Sequence, residues 1–192
     1  MKAWKIALLA LVLPLAAYPQ TRDFGMGAFA NESGPILMAV DAALVDRAVD
    51  NPYAMFVLFM ASKDVNASIS VASKDVTMVY KGREYHMPSL TELRNDYRGG
   101  SRDLAFYRRL GKEGVIASWV RLYDFPEKAT FFPPLTLRST LVVSEGHLAS
   151  FRGFLTPVYF KNPGFAKGDT LTIRVRDVKD PAITGECEVV LE

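Results

Sequence analysis

The residues of this chain best suited to chemistry are basic and aromatic side chains grouped between positions 94 and 112. The group consists of Arg94, Tyr97, Arg98, Arg102, Phe106, Tyr107, Arg108, Arg109 and Lys112. Arginine and tyrosine are over-represented among the residues that dominate binding energy at protein interfaces. The grouping therefore predicts a contact patch for a protein partner or an anionic ligand.

We expect four residues of this patch to make the contacts, namely Arg98, Arg102, Phe106 and Arg109. Arg102 and Arg109 are seven residues apart, so on a helix they share one face with Phe106 between them. The alternative is a solvated face, with the charge balanced by neighbouring acids and the aromatic rings packed on a sheet. The sequence leaves both interpretations open.

Motifs for catalysis, metals and cofactors are missing from the sequence. The histidines, His86 and His147, show no HxH or HExxH spacing, and a single cysteine allows no CxxC pair. GxSxG, GxGxxG and GxxxxGK are also absent. We therefore predict no catalytic residue, no metal and no cofactor. The alternative is a secreted hydrolase whose carboxylate-lined cleft, or a cleft lined by His86, would be visible only in the fold.

The single cysteine, Cys187, excludes an internal disulfide and is predicted to be inert. It alternates with Val189 and Leu191 along one face of a strand, whereas Glu186 and Glu188 point the other way. This pattern is typical of a small buried side chain. A reactive thiolate would need an electropositive and exposed setting, which flanking glutamates oppose.

A period of two dominates the chain and predicts strands. It is clearest over 170–176, and it recurs over 66–73 and 75–80, where Lys81-Gly82 predicts a hairpin turn. The continuous apolar run 54–60 predicts a central strand covered on both faces. Further strands are expected over 35–45, 118–125, 138–144 and 151–160, and Pro157 places the last at an edge or bend.

One helical insertion interrupts this pattern, over about residues 89–111. Ser89 and Glu92 have the spacing of a capping box, and Leu90, Leu93 and Tyr97 form one stripe. Gly99-Gly100 separates this helix from a second, which Ser101 is expected to cap and Gly111 to end.

Short strands at this spacing predict a mainly β fold, an immunoglobulin-like two-layer sandwich of about seven to nine strands with the helical insertion inside 88–114. The likeness to immunoglobulin domains is architectural only, because their Cys…Trp…Cys signature is absent. Phenylalanines beside prolines near positions 131–134 and 160–165 either plug the open end of the sandwich or form an exposed stacking surface.

Residues 1–17 have the layout of a signal peptide: two lysines, an apolar run of about 12 residues, and closing alanines. The rival, a membrane anchor, needs about 20 apolar residues. We expect cleavage after Ala17, export to the periplasm or the extracellular space, and no stable membrane span afterwards. Residues 18–34 are predicted to be a flexible lead-in and 35–192 a single domain.

Charge argues against a general electrostatic role on nucleic acid. The chain has 23 basic and 21 acidic residues, and loss of Lys2 and Lys5 with residues 1–17 makes the two numbers equal. A protein that neutralises phosphates needs an excess of basic charge. The sequence as a whole predicts an exported, non-enzymatic β-sandwich that serves as a binding, interaction or structural module.

Overall fold

A computed structural model describes residues 21–48, 50–110, 116, 129–132 and 141–192. The strands are β1 Arg22–Gly25, β2 Ala28–Asn31, β3 Ile36–Asp41, β4 Tyr53–Ser62, β5 Ile69–Ala72, β6 Val76–Tyr80, β7 Arg83–His86, β8 Ala129–Thr130, β9 Leu141–Val142, β10 Glu145–Leu148, β11 Gly153–Lys161, β12 Thr170–Arg176 and β13 Thr184–Val190. The α-helices are α1 Ala43–Arg47, α2 Leu90–Asp96 and α3 Gly100–Leu110.

Two antiparallel sheets form the main layers, which confirms the mainly β sandwich with a helical insertion. One sheet has the order β1-β2-β3-β4-β11 and the other the order β13-β12-β6-β7. Two smaller pairs, β5 with β10 and β8 with β9, lie beside them. Apolar side chains from both main sheets pack into one core.

The central strand and the hairpin are confirmed. All ten residues of β4 are buried between β3 and β11, as the continuous apolar run predicts. Over the predicted range, 170–176, buried residues of β12 alternate with residues that are half-buried or exposed. Lys81 and Gly82 both have positive φ, 48° and 75°. A two-residue hairpin turn needs positive φ at both positions for its twist to match that of the flanking strands. Pro157 lies in β11, at the edge of its sheet.

The lead-in predicted over 18–34 is wrong where the structure describes it. Residues 22–31 form β1 and β2, and every residue of β2 is buried. β2 pairs with β3, and the Asn31 amide donates a 2.8 Å hydrogen bond to the Glu186 carbonyl of the other sheet. The glycines of this stretch make its turns, and Phe29 anchors it in the core.

The strand predicted over 35–45 is correct only in its first part, because β3 ends at Asp41 and α1 follows. The Asp41 carboxylate accepts a 3.0 Å hydrogen bond from the Ala43 N–H, and the Ala42 N–H donates to the Gly27 carbonyl at 2.7 Å. These bonds satisfy backbone groups at the start of the helix and turn the chain out of the sheet.

The capping box of α2 is confirmed. The Glu92 N–H donates to Ser89 Oγ at 3.1 Å, and the Ser89 N–H donates to Glu92 Oε2 at 2.7 Å. Helix α3 begins at Gly100, so Ser101 lies inside it rather than at its cap. The predicted strand over 118–125 and the predicted stop at Gly111 lie outside the described residues.

Among the described residues, the helices are too short or too polar to cross a bilayer.

Candidate functional site

A groove of about 370 Å³ lies between α1 and α3. Both helices interrupt the β framework, and each contributes one arginine to the groove. Its lining residues are Leu44, Arg47, Ala48, Asn51, Arg102, Asp103 and Phe106. The groove therefore combines two guanidinium groups, one carboxylate and an apolar wall.

Helix α1 brings Arg47 to the groove. Leu44 and Val45 are buried against the sheet, and this anchors the helix by its apolar side. Arg47 is exposed in the last turn, where a cation is favoured by the helix dipole. Its guanidinium lies over the ring of Phe106, with 5.9 Å between Cζ and the ring centroid. This geometry is that of a cation–π contact.

Helix α3 brings Arg102 and Phe106 to the same groove, one turn apart. The Arg102 side chain is 70% exposed and Phe106 is 36% exposed. Arg102 Nη2 donates a 3.4 Å hydrogen bond to Asn51 Oδ1, and its Nε lies 3.7 Å from Asp103 Oδ1. Both contacts are long, and an exposed ion pair of this kind contributes little to stability. The guanidinium is thus oriented at the groove while still open to solvent.

Asp103 lines the groove as a buried carboxylate. The Tyr97 hydroxyl donates a 2.5 Å hydrogen bond to Asp103 Oδ2. Burial raises the pKa of Asp103, and the Tyr97 hydroxyl and the Arg102 guanidinium oppose that rise. Burial, followed by the Asp103 carboxylate, raises the pKa of Tyr97, so the hydroxyl keeps its proton and remains the donor.

An aromatic cluster packs around Tyr97, the residue that donates a hydrogen bond to Asp103. The ring of Tyr97 packs against Tyr53 at 5.4 Å and against Tyr159 at 6.2 Å between centroids. The Tyr159 hydroxyl is buried and has no hydrogen-bond partner recorded among the described residues. Tyr97, Asp103 and Tyr159 together form a largely desolvated layer that fixes α3 on the five-stranded sheet.

The structure brings two of the four predicted contact residues into the groove, Arg102 and Phe106. Arg98 is exposed between α2 and α3 but does not line it. Arg109 belongs to α3, and its side chain lies outside the described residues. The sequence does not indicate Arg47 as a contact residue, because the pattern over 35–45 predicts a strand where α1 begins. The sequence does contain a helix signal here, because an acidic residue, Asp41, precedes the segment and a basic residue, Arg47, lies where its last turn would be.

Ser70 and His147 form a pair that sequence reasoning also missed. They are opposite one another on β5 and β10, with 2.9 Å between Ser70 Oγ and His147 Nδ1. The nearby Asp177 accepts from the backbone N–H groups of Ser70 and Asp180 at 2.8 and 3.0 Å. Its carboxylate therefore secures β5 to the end of β12, and its recorded bonds do not include the imidazole.

The remaining candidates for chemistry lie apart. His86 is exposed at the end of β7, and the described residues contain no group of three metal-ligating side chains. Cys187 is buried opposite Ile173, and burial raises its pKa to about 12. Phe131, Phe132, Phe160 and Phe165 are buried, so these four rings pack in the interior and do not form an exposed stacking surface.

A second cavity of about 680 Å³ lies between the start of α2 and residues 142–144. Its described lining is mainly apolar and hydroxyl-bearing, and Glu92, already committed to the capping box, is the acid it contains. Among the described residues that line these two cavities, each cavity has a single carboxylate, and His86 lines neither.

Comparison of the chain with protein-family models, curated proteins and solved structures finds no match.

Proposed function

We propose that this protein is an exported, non-enzymatic β-sandwich module that binds an anionic ligand, or an anionic part of a protein partner, in the groove between α1 and α3. The observation that carries this proposal is the placement of Arg47 and Arg102 in one groove beside the partly exposed ring of Phe106. Guanidinium groups donate paired, charge-assisted hydrogen bonds to carboxylates and phosphates.

Local rather than overall charge supports the proposal. The chain without residues 1–17 carries equal numbers of basic and acidic residues, so a long-range field for nucleic acid is absent. The described lining of the groove, however, contains two guanidinium groups and one carboxylate. Recognition would then depend on close contact in a defined cleft. Export rests on the layout of residues 1–17.

A secreted hydrolase is the second candidate, and the Ser70–His147 contact is the observation that favours it. A catalytic serine needs an accessible hydroxyl and a base oriented by a third group. Ser70 is 5% exposed, and the Asp177 carboxylate, which accepts from the Ser70 N–H, is bonded to backbone N–H groups. The pair is therefore better explained as a cross-strand contact that joins β5 to β10.

The proposal is tested by nuclear magnetic resonance titration of the protein lacking residues 1–17. The probes are acetate and inorganic phosphate. We expect saturable shifts of the Ala48, Asn51 and Asp103 amides and of the Arg102 Nε–H group, because these residues line the groove. Arg102→Glu should remove the shifts while leaving the fold intact, since exposed charge changes shift stability by about 0.5 kcal/mol or less.

Arg83→Glu is the matched control, because Arg83 is an exposed arginine of β7 in the other main sheet. It makes the same change of net charge and should leave the titration unaltered. Equal losses in the two variants, or the absence of saturable shifts with both probes, would contradict the proposed function.

A further inference from the structure

We propose that the groove between α1 and α3 selects a monocarboxylate that carries an apolar or aromatic group, as the last residue of a peptide with an apolar side chain does. This inference rests on the proposed function and names the class of ligand. Three properties of the lining residues lead to it: the shape of the donors, the apolar wall and the net charge.

The donors suit a carboxylate. Arg47 and Arg102 come from two different helices and line the same groove, so the groove offers an anion two planar guanidinium groups. A guanidinium presents two parallel N–H donors that match the two oxygens of a carboxylate. The Arg102 guanidinium makes only a long 3.4 Å contact with Asn51 and is 70% exposed, so its donors are accessible to an anion.

The apolar wall requires more of the ligand than a charge. Leu44, Ala48 and Phe106 line the groove next to the arginines, and Phe106 remains 36% exposed. An inorganic anion would leave this ring in contact with water. A ligand with an apolar or aromatic group would cover the ring and gain from removal of that surface from water. The Arg47 guanidinium lies over the Phe106 ring, 5.9 Å from its centroid, so the ligand's apolar group would contact the part of the ring that remains exposed.

The net charge distinguishes a monoanion from a dianion. With Asp103 ionised, the two guanidinium groups and one carboxylate leave a single positive charge in the lining. A monocarboxylate balances that charge. A phosphate monoester carries nearly two negative charges at neutral pH, which exceeds that single positive charge and adds repulsion from the Asp103 carboxylate.

The size of the groove agrees with a small group. Ligand sites usually occupy about 300–1,000 Å³, and this groove, at about 370 Å³, lies at the lower end of that range. It accommodates a terminal residue rather than a long segment.

The experiment compares four probes by the same titration of the protein lacking residues 1–17. They are N-acetylphenylalanine, its amide, N-acetylglycine and phenyl phosphate. N-acetylphenylalanine should bind about tenfold or more tightly than each of the other three, because each of them lacks the carboxylate, lacks the apolar group or carries excess charge. Phe106→Ala and Arg102→Glu should each weaken its binding by a similar factor, and Arg83→Glu should leave it unchanged.

The outcomes separate this inference from the proposed function. If phenyl phosphate binds in the groove as tightly as N-acetylphenylalanine, the monocarboxylate class is wrong while anion binding stands. If N-acetylglycine binds equally well, the apolar requirement is wrong. If none of the acidic probes shifts the groove residues, both proposals fail. Asp103→Asn adds an independent check, since it should improve phenyl phosphate binding relative to N-acetylphenylalanine.

Discussion

At the scale of single residues, Asp103 is the most informative side chain of the described structure. Its carboxylate is buried beside an exposed arginine and is held by the Tyr97 hydroxyl. Burying a charge is costly unless it is paired and hydrogen-bonded. Here the hydroxyl bond compensates for part of that cost, and the 3.7 Å contact with Arg102 adds little more. Asp103 thus lines the groove at a cost in folding stability.

The pH dependence of folding tests this description. Because the pKa of Asp103 is raised above 3.8 in the folded protein, the folded state holds this proton more tightly than the unfolded state. The contribution of Asp103 to stability therefore falls as pH rises from about 4 through its folded pKa. Asp103→Asn does not ionise, so its free energy of unfolding should improve relative to the wild type over that window, as urea unfolding at several pH values would show.

Asp169→Asn provides a control of opposite sign. The Tyr80 hydroxyl, the Ala166 N–H and Lys81 lower the pKa of Asp169. Its stabilising contribution is present above the unfolded pKa and is lost as pH falls through the folded pKa. This variant should consequently lose stability relative to the wild type as pH rises from the acid range. Parallel curves for the wild type and Asp103→Asn would contradict the assignment of Asp103.

At the scale of elements, the groove depends on where α1 is held. The Gly27 carbonyl accepts the Ala42 N–H at 2.7 Å, and Asp46 of α1 accepts the Glu192 N–H at 3.0 Å. The helix therefore packs directly on the turn between β1 and β2. A side chain at Gly27 would occupy the space that α1 needs, with its Cβ 2.7 Å from Asp46 Oδ2 and 2.8 Å from the Ala43 nitrogen.

Gly27→Ala and Gly25→Ala make a matched pair. Both positions have positive φ, 77° and 78°, but a Cβ at Gly25 would have no neighbouring atom within 4 Å. Gly25→Ala should cost about 1–2 kcal/mol from backbone conformation alone. Gly27→Ala should cost about 1–3 kcal/mol more, because packing against α1 is also disturbed. Urea unfolding measures the loss, and the Ala48 and Asn51 amide signals report displacement of the groove; equal losses would refute the contact.

At the scale of the whole molecule, the two main sheets are joined along one side of the sandwich. The Asn31 amide donates to the Glu186 carbonyl, and the Glu188 N–H donates to Thr21 Oγ1 at 2.9 Å. Both bonds connect the N-terminal part of the described chain with β13. They satisfy backbone groups of a strand that ends its sheet, where unpaired donors would otherwise promote aggregation.

Export is a prediction for the whole chain. Expressed with its first 17 residues in a bacterium, the protein should accumulate outside the cytosol with Tyr18 as its first residue, which intact-mass spectrometry of the periplasmic and medium fractions would show. Ala17→Arg should block cleavage, because the site requires a small side chain. A membrane-bound product that retains Met1 through Ala17 in the unsubstituted protein would instead support the anchor.

Local patterns by themselves determined much of this fold. The alternation of 170–176, the Lys81-Gly82 turn and the capping box of Ser89 and Glu92 each depend on neighbours within a few residues. The same applies to Cys187, whose burial follows from the period of its strand. The energies that favour these features are local, so the residue order alone is sufficient to identify them.

Tertiary structure decided the lead-in, helix α1 and the groove. β2 is ordered by pairing with β3 and by Phe29 in the core, neither of which the glycine-rich composition of 18–34 indicates. Helix α1 packs on Gly27 in the turn between β1 and β2, so a period read along 35–45 misses it. Arg47 and Arg102 are far apart in sequence and meet in one groove because long-range packing places two helices side by side. Such contacts depend on the fold of the whole chain, and a local pattern contains no information about them.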